Sequence, residues 1–353
     1  MTSPSNNIEE RIEVVLPGRV APEGLVVRRV PVQPPKPGNV VLEMEATGVS
    51  FAEQQMRRGK YYDQPAFPFV PGYDLVGTVR TVGVGVDSDL VGRRFAAITK
   101  IGSWASSVEV NALDLMPIAD EFDPVQVEAL TVNGITAWQM LHQVAAVGAG
   151  AGATIVVLGA NGGVGSTLVQ LARHAGIRVI GAASTHHHEL VRHLGAEPVD
   201  YRSSAMYEGI RELAPDGVDA VFDHVGGANL ARSWGLVRRG GILVSYGTAS
   251  TKNDAGSSQL PILALFGRLI LWNLLPNGKR THFYNLWAGR RRAERFRADK
   301  NKALSSVVKL LASGDLTPNI AARFPLTEAS EAMTLAESGT LAGKVILLPV
   351  SLT

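Results

Sequence analysis

Short apolar runs, broken by glycine and proline, open the chain. Between Glu9 and Val110 they recur at 25–32, 40–48, 75–82 and 106–110, with β-branched residues set between turn residues. That pattern predicts a mostly-β region. After Pro124 the period changes. Apolar Val127, Leu130, Ile135, Trp138 and Leu141 fit a helix over 125–144. Strand and helix signals then alternate: strands at 154–158, 178–182, 198–201, 220–224 and 242–246, helices at 165–174, 189–194 and 207–213. Strands separated by helices of this length build a parallel sheet with right-handed crossovers. The tail adds a helix at 303–312, an amphipathic stretch at 326–336 and an apolar strand at 343–349. The fold class is therefore α/β. A first β-rich segment spans 1–128, a doubly wound parallel-sheet domain 129–300, and a return segment 301–353 completes the β-rich domain.

The stretch ATIVVLGANGGVGSTLVQLA, residues 153–172, carries the most chemistry. A buried strand runs into a glycine turn, and the turn into a helix. The unpaired amides and partial positive charge of a helix N-terminus suit a diphosphate. Glycine is needed there because a Cβ would block that approach. Ala160 takes the place of the first glycine of a dinucleotide fingerprint, and Asn161, Gly162, Gly163, Val164 and Gly165 follow. The next strand ends in Ala183, Ser184, Thr185 and three histidines, with no carboxylate for a ribose 2′-hydroxyl. Hydroxyls and a histidine suit a 2′-phosphate instead, so NADP(H) is the expected cofactor. Adjacent histidines on a helix point apart, so a metal site is not expected from them.

Composition narrows the classes. Two domains suit 353 residues. With no cysteine, disulfides, cysteine-held iron–sulfur clusters and cysteine-ligated zinc are excluded. A formal charge of +2 gives no global attraction to nucleic acid. The first residues lack a basic stretch followed by an apolar core, so no signal peptide is expected and a cytoplasmic home is. The apolar stretch at 261–275 is interrupted by Arg268 and Asn273 and is too short to span a bilayer.

Several segments together resemble the quinone oxidoreductase branch of the medium-chain dehydrogenase/reductase superfamily, the zeta-crystallin-like proteins, and within it the vesicle amine transport protein group. They are GVSFAEQQMRRGKY (48–61), PFVPGYDLVG (68–77), LTVNGITAW (130–138), the glycine turn, GAEPVDY (195–201) and DHVGG (223–227). The resemblance implies a GroES-like catalytic domain beside the Rossmann domain, with substrate in the cleft between them. It implies hydride transfer from NADPH to a quinone or an α,β-unsaturated carbonyl. Zinc-dependent relatives carry cysteine where Ser50 stands and a His-Glu pair where Tyr73 and Asp74 stand, so zinc independence is implied too.

Carried over by position, Asn133 and Thr136 lie near the nicotinamide and phosphates, and residues 161–165 cradle the diphosphate. Ser184, His187 and Tyr201 surround the 2′-phosphate. Val225 and Gly226 meet the ribose or adenine side, and Tyr246 and Gly247 line the cofactor further along. Tyr61, Ser50 and Glu53 form the catalytic set. Tyr61 either donates a hydrogen bond to the acceptor or packs beneath a loop, and the sequence leaves both open.

The segment 260–300 joins an apolar half to a basic one. It reads as a core-packing or dimer-contact piece followed by a solvated charged helix, with contact to an anionic membrane as the minority reading. Edge pairing around 281–286 would make a homodimer. Two rival functions stand beside the oxidoreductase: an NADPH-binding protein of little redox activity that contacts lipid or protein through 260–300, and an enoyl-thioester reductase.

Overall fold

The computed structural model describes residues 9–148, 152–247 and 259–349. The first eight residues, on which part of the signal-peptide expectation rests, lie outside them. β1 (Glu10–Val15) and β2 (Val26–Pro31) form an antiparallel ribbon. β3 (Asn39–Val49) leads into the short helix α1 (Phe51–Arg57). β4 (Asp74–Val82), β5 (Arg94–Ile98), β6 (Ser107–Asn111) and β7 (Met116–Pro117) follow.

The chain then enters α2 (Pro124–Trp138), where Asp123 caps the first turn through the Val125 amide at 3.0 Å and proline occupies the first position. α2 is buried on nearly every face, because it packs on β3 and β4 on one side and on the helices Gly163–His174 and Ala293–Ser313 on the other. It runs on as a π-helical stretch, Gln139–Ala145.

The parallel domain contains β8 (Thr154–Leu158), α3 (Gly163–His174), β9 (Arg178–Ala183), α4 (His188–Leu194), β10 (Glu197–Asp200) and α5 (Met206–Leu213). It continues through β11 (Val218–Asp223), α6 (Leu230–Leu236), β12 (Val237–Ser245), α7 (Gln259–Asn273) and β13 (Arg280–Phe283). Its six strands lie in the order β10-β9-β8-β11-β12-β13, every pair parallel. The order reverses between β8 and β11, and ligands bind at such a switch point, beyond the carboxyl ends of the strands.

α8 (Ala293–Ser313), β14 (Ile320–Pro325), α9 (Ala329–Glu337) and β15 (Lys344–Leu348) return the chain. β15 slots between β14 and β3, giving a seven-stranded sheet ordered β14-β15-β3-β4-β5-β7, with β6 also on β3.

One expectation needs correction. The basic run is exposed over 289–295 as expected, but it is not a helix of its own: from Ala293 onward it belongs to α8, which continues through the tail helix expected at 303–312. Its inner side buries Lys300, Ala303, Leu304 and Val307, and Val307 packs where a Cβ on Gly134 of α2 would stand, 2.8 Å away. The apolar half of the segment is only partly core. α7 buries Leu265 and Leu269 but leaves Leu263, Ile270 and Leu271 exposed, as is Leu274 just beyond its end. Among the described residues no helix is long and apolar enough to cross a membrane.

Candidate active site

A cleft of about 520 Å³ opens where the two sheets meet. It is lined by the glycine bend on one side and by the end of β3, α1 and the following loop on the other. Of the sequence-derived residues, Ser50, Tyr61, Asn133, Thr136, Asn161, Gly162, Gly163, Val164, Gly165, Tyr246 and Gly247 all face it.

The bend is built for a close ligand. Gly159 closes the strand with φ +72, and a Cβ there would meet the His224 ring at 2.5 Å. A Cβ on Gly163 would lie 2.3 Å from the Asn133 side chain, and one on Gly165 2.1 Å from the Gly159 carbonyl. α3 therefore begins tight against β8, with no side chain capping it. Its first amides are left for something else to satisfy. The return segment braces the bend: Gly343 N–H donates to the Asn161 carbonyl at 2.9 Å, and Asn161 Nδ2 to that of Leu341 at 3.1 Å. These features fit the diphosphate of a dinucleotide.

Other expected cofactor residues stand outside the cleft. Ser184 and Tyr201 directly follow the paired residues Ala183 and Asp200, so both emerge at the carboxyl edge of the sheet. His187 is buried beside them, and burial first, then neighbouring His186, holds its pKa below the ordinary histidine range. At neutral pH it offers a hydrogen bond rather than a charge. The cation at this edge is Arg202, whose guanidinium lies 5.6 Å from the centre of the Tyr201 ring. Sequence reasoning passed over Arg202, although it directly follows the GAEPVDY segment. Val225 and Gly226 do not line the cleft, and both amides donate to Asp223 Oδ1 at 2.8 Å. From the DHVGG segment it is His224 that reaches the cleft. Its Nδ1 lies 3.0 Å from the Leu158 carbonyl, and burial pulls its pKa down, which leaves a neutral ring.

On the opposite wall, Ser50 caps α1 in a capping box: its Oγ accepts from the Ala52 amide at 3.2 Å, while Glu53 accepts the Ser50 amide at 2.9 Å. The Ser50 hydroxyl also bonds the Glu53 carboxylate. Glu53 is fully buried and its Oε1 has no partner. Burial pushes its pKa up to about 7, the Ser50 bond opposing and the nearby Asp74 carboxylate reinforcing the rise. Tyr61 is buried too, its hydroxyl 2.7 Å from that of Tyr73, which also accepts from Trp287 Nε1. Burial drives the Tyr61 hydroxyl far above the ordinary phenol range.

Behind this wall Lys344 of β15 reaches Asp74 at 2.9 and 3.0 Å and Glu128 at 2.7 Å, all three buried. Burial alone would lower the Lys344 pKa, but the two carboxylates more than offset it and hold the ammonium above its usual range. Glu128 is raised, chiefly by burial. Asp74 also accepts the Val132 amide at 2.9 Å. At the zinc-ligand positions the chain thus offers a hydroxyl tied to a carboxyl, a phenol already bonded twice, and a carboxylate closed by an ammonium. This donor set does not fit a zinc ion.

Residues 36–120 match the family described as alcohol dehydrogenase GroES-like domain, and residues 194–347 the family described as zinc-binding dehydrogenase. The synaptic vesicle membrane protein VAT-1 homolog of Homo sapiens is 29% identical over 329 residues, covering 89% of this chain and 80% of its own. A probable quinone oxidoreductase of Schizosaccharomyces pombe is 28% identical over 316 residues, covering 89% and 90%. Among solved structures, a mycobacterial protein complexed with NADPH has a TM-score of 0.80 at 26% identity, over 96% of this chain and 100% of that one.

Proposed function

Because the chain belongs to the medium-chain dehydrogenase/reductase superfamily, in its quinone oxidoreductase branch, we propose that it reduces a quinone or an α,β-unsaturated carbonyl with NADPH and without zinc. NADP(H) is its cofactor, and supplies a hydride when bound. The first-turn amides of α3 hold the diphosphate. Ser184, Tyr201 and Arg202 meet the 2′-phosphate, with His187 as a neutral donor.

A carbonyl acceptor that gains a hydride must also gain a proton. Tyr61 holds its own too tightly to release it, and acts as a hydrogen-bond donor that fixes and polarises the acceptor oxygen. Glu53 holds a proton that it can part with at neutral pH. Ser50 is the bridge: its hydroxyl, which donates to Glu53 Oε2 at rest, turns to pass its proton to the reduced acceptor, and its Oγ takes the Glu53 proton in return, leaving the carboxylate. The observation that carries this reading is the hydroxyl of Ser50, facing the cleft and bonded from behind to a buried carboxyl of near-neutral pKa.

The test is NADPH oxidation with phenanthrenequinone, an alkenal and crotonyl-CoA in parallel. Turnover of the quinone or the alkenal is expected. Turnover of the thioester alone would make the chain an enoyl-thioester reductase. NADPH binding without turnover of any acceptor would overturn the enzymatic reading.

A further inference from the structure

A second cavity, of about 360 Å³, lies on the far side of Tyr284 and Asn285, which line both it and the cleft. Its walls come from the π-helical end of α2, from the chain after β13 and from the first turns of α8. At its back Lys300 is only 6% exposed. Its Nζ donates to Gln139 Oε1 at 2.8 Å and stands 5.0 Å from the centre of the Phe296 ring. Gln139 Oε1 also accepts the Tyr284 hydroxyl, again at 2.8 Å. Among the described residues no carboxylate lies within ion-pair distance of Lys300.

A buried ammonium without an anionic partner is costly, and proteins normally pair it or neutralise it. Here burial lowers the pKa to about 7, with Asp299 opposing. Two further cations, Arg292 and Arg295, stand on the cavity wall with His282. The one carboxylate among the lining residues, Asp299, is 3.8 Å from Arg295. Three cations thus face one anion. The remaining walls mix apolar surface, from Phe296, Val144 and Ala288, with the amides of Gln139, Gln143 and Asn285. A cavity of this size suits a small organic molecule, and convergent donors beside apolar surface are how such molecules are oriented.

We propose that this second cavity binds a small organic phosphate, with Lys300 as the buried anchor and Arg292 and Arg295 closing over the phosphate from the rim. The proposal stands apart from the hydride-transfer reading, since none of its anchors is used in that chemistry.

The test is calorimetric titration of the full chain with glycerol 3-phosphate, in saturating NADPH so that the coenzyme's own phosphate sites are filled. Glycerol is the control. Glycerol 3-phosphate should bind and glycerol should not. Lys300→Met should weaken binding at least roughly tenfold, and the double variant Arg292→Gln/Arg295→Gln by a similar factor, with NADPH affinity unchanged in both. Binding at pH 8 should also take up a proton, read from buffers of different ionisation heat, because a dianion restores charge to Lys300. Lys300→Met should abolish that uptake. No binding of glycerol 3-phosphate, or equal affinity in wild type and both variants, would overturn the proposal whatever the acceptor assays give.

Discussion

Burial separates the two hydroxyl-bearing routes by which a proton could reach the acceptor. Tyr61 and Glu53 are both buried, yet burial makes the phenol a poorer acid while it lifts the carboxyl into the neutral range. Turnover should therefore fall as pH rises through about 7, and Glu53→Gln should remove that limb of the profile. Tyr61→Phe should leave the limb in place and lower turnover more than NADPH affinity; unchanged turnover would make Tyr61 a packing residue. The same carboxyl predicts a stability effect whose sign can be worked out. Between about pH 4.5 and 7 the folded chain keeps a proton that the unfolded chain has lost. Stability then falls as pH rises across that window, by at most about 3 kcal/mol. Denaturant titrations should find Glu53→Gln more stable than wild type at pH 8 and close to it at pH 4. An equal gap at both pH values would refute this account.

Among the elements, the β8–α3 unit is stiff because its glycine contacts leave no slack. Gly165→Ala should cost about 1–3 kcal/mol, since its Cβ would lie 2.1 Å from the Gly159 carbonyl, and should lower both Tm and NADPH affinity. A variant that keeps wild-type Tm and affinity would contradict this. That unit was also the most legible part of the sequence, because a continuous apolar strand, a glycine turn and a periodic helix agree over twenty residues. α1 was not read as a helix, although Ser50 and Glu53 spell its capping box, because seven residues carry too little periodicity to interrupt a β-rich pattern. The burial of Lys300 left no local trace. It faces inward only because α8 starts upstream of the tail helix and packs along α2, and charge patterning alone reads the run as solvated. Glu53 was named as a candidate by position, but its raised pKa comes from burial first and then from Asp74, which no local window contains.

Over the whole molecule, Lys344 ties the last strand to β4 and α2 through buried carboxylates, immediately behind the capped serine. Removing one partner leaves uncompensated charge, so Lys344→Met should destabilise by about 3–5 kcal/mol. A denaturant midpoint close to wild type would count against this. The same strand sets an order of events during synthesis. β15 fills the gap between β14 and β3, so strands far apart in the chain are hydrogen-bonded neighbours. The seven-stranded sheet stays open until the ribosome has released the chain through β15, whereas the parallel sheet between its two halves can assemble earlier. While the nascent chain waits, the stretch of β3 at 47–49, just beyond the part that β6 covers, is a vacant berth for any extended peptide, and β15 is what shuts it.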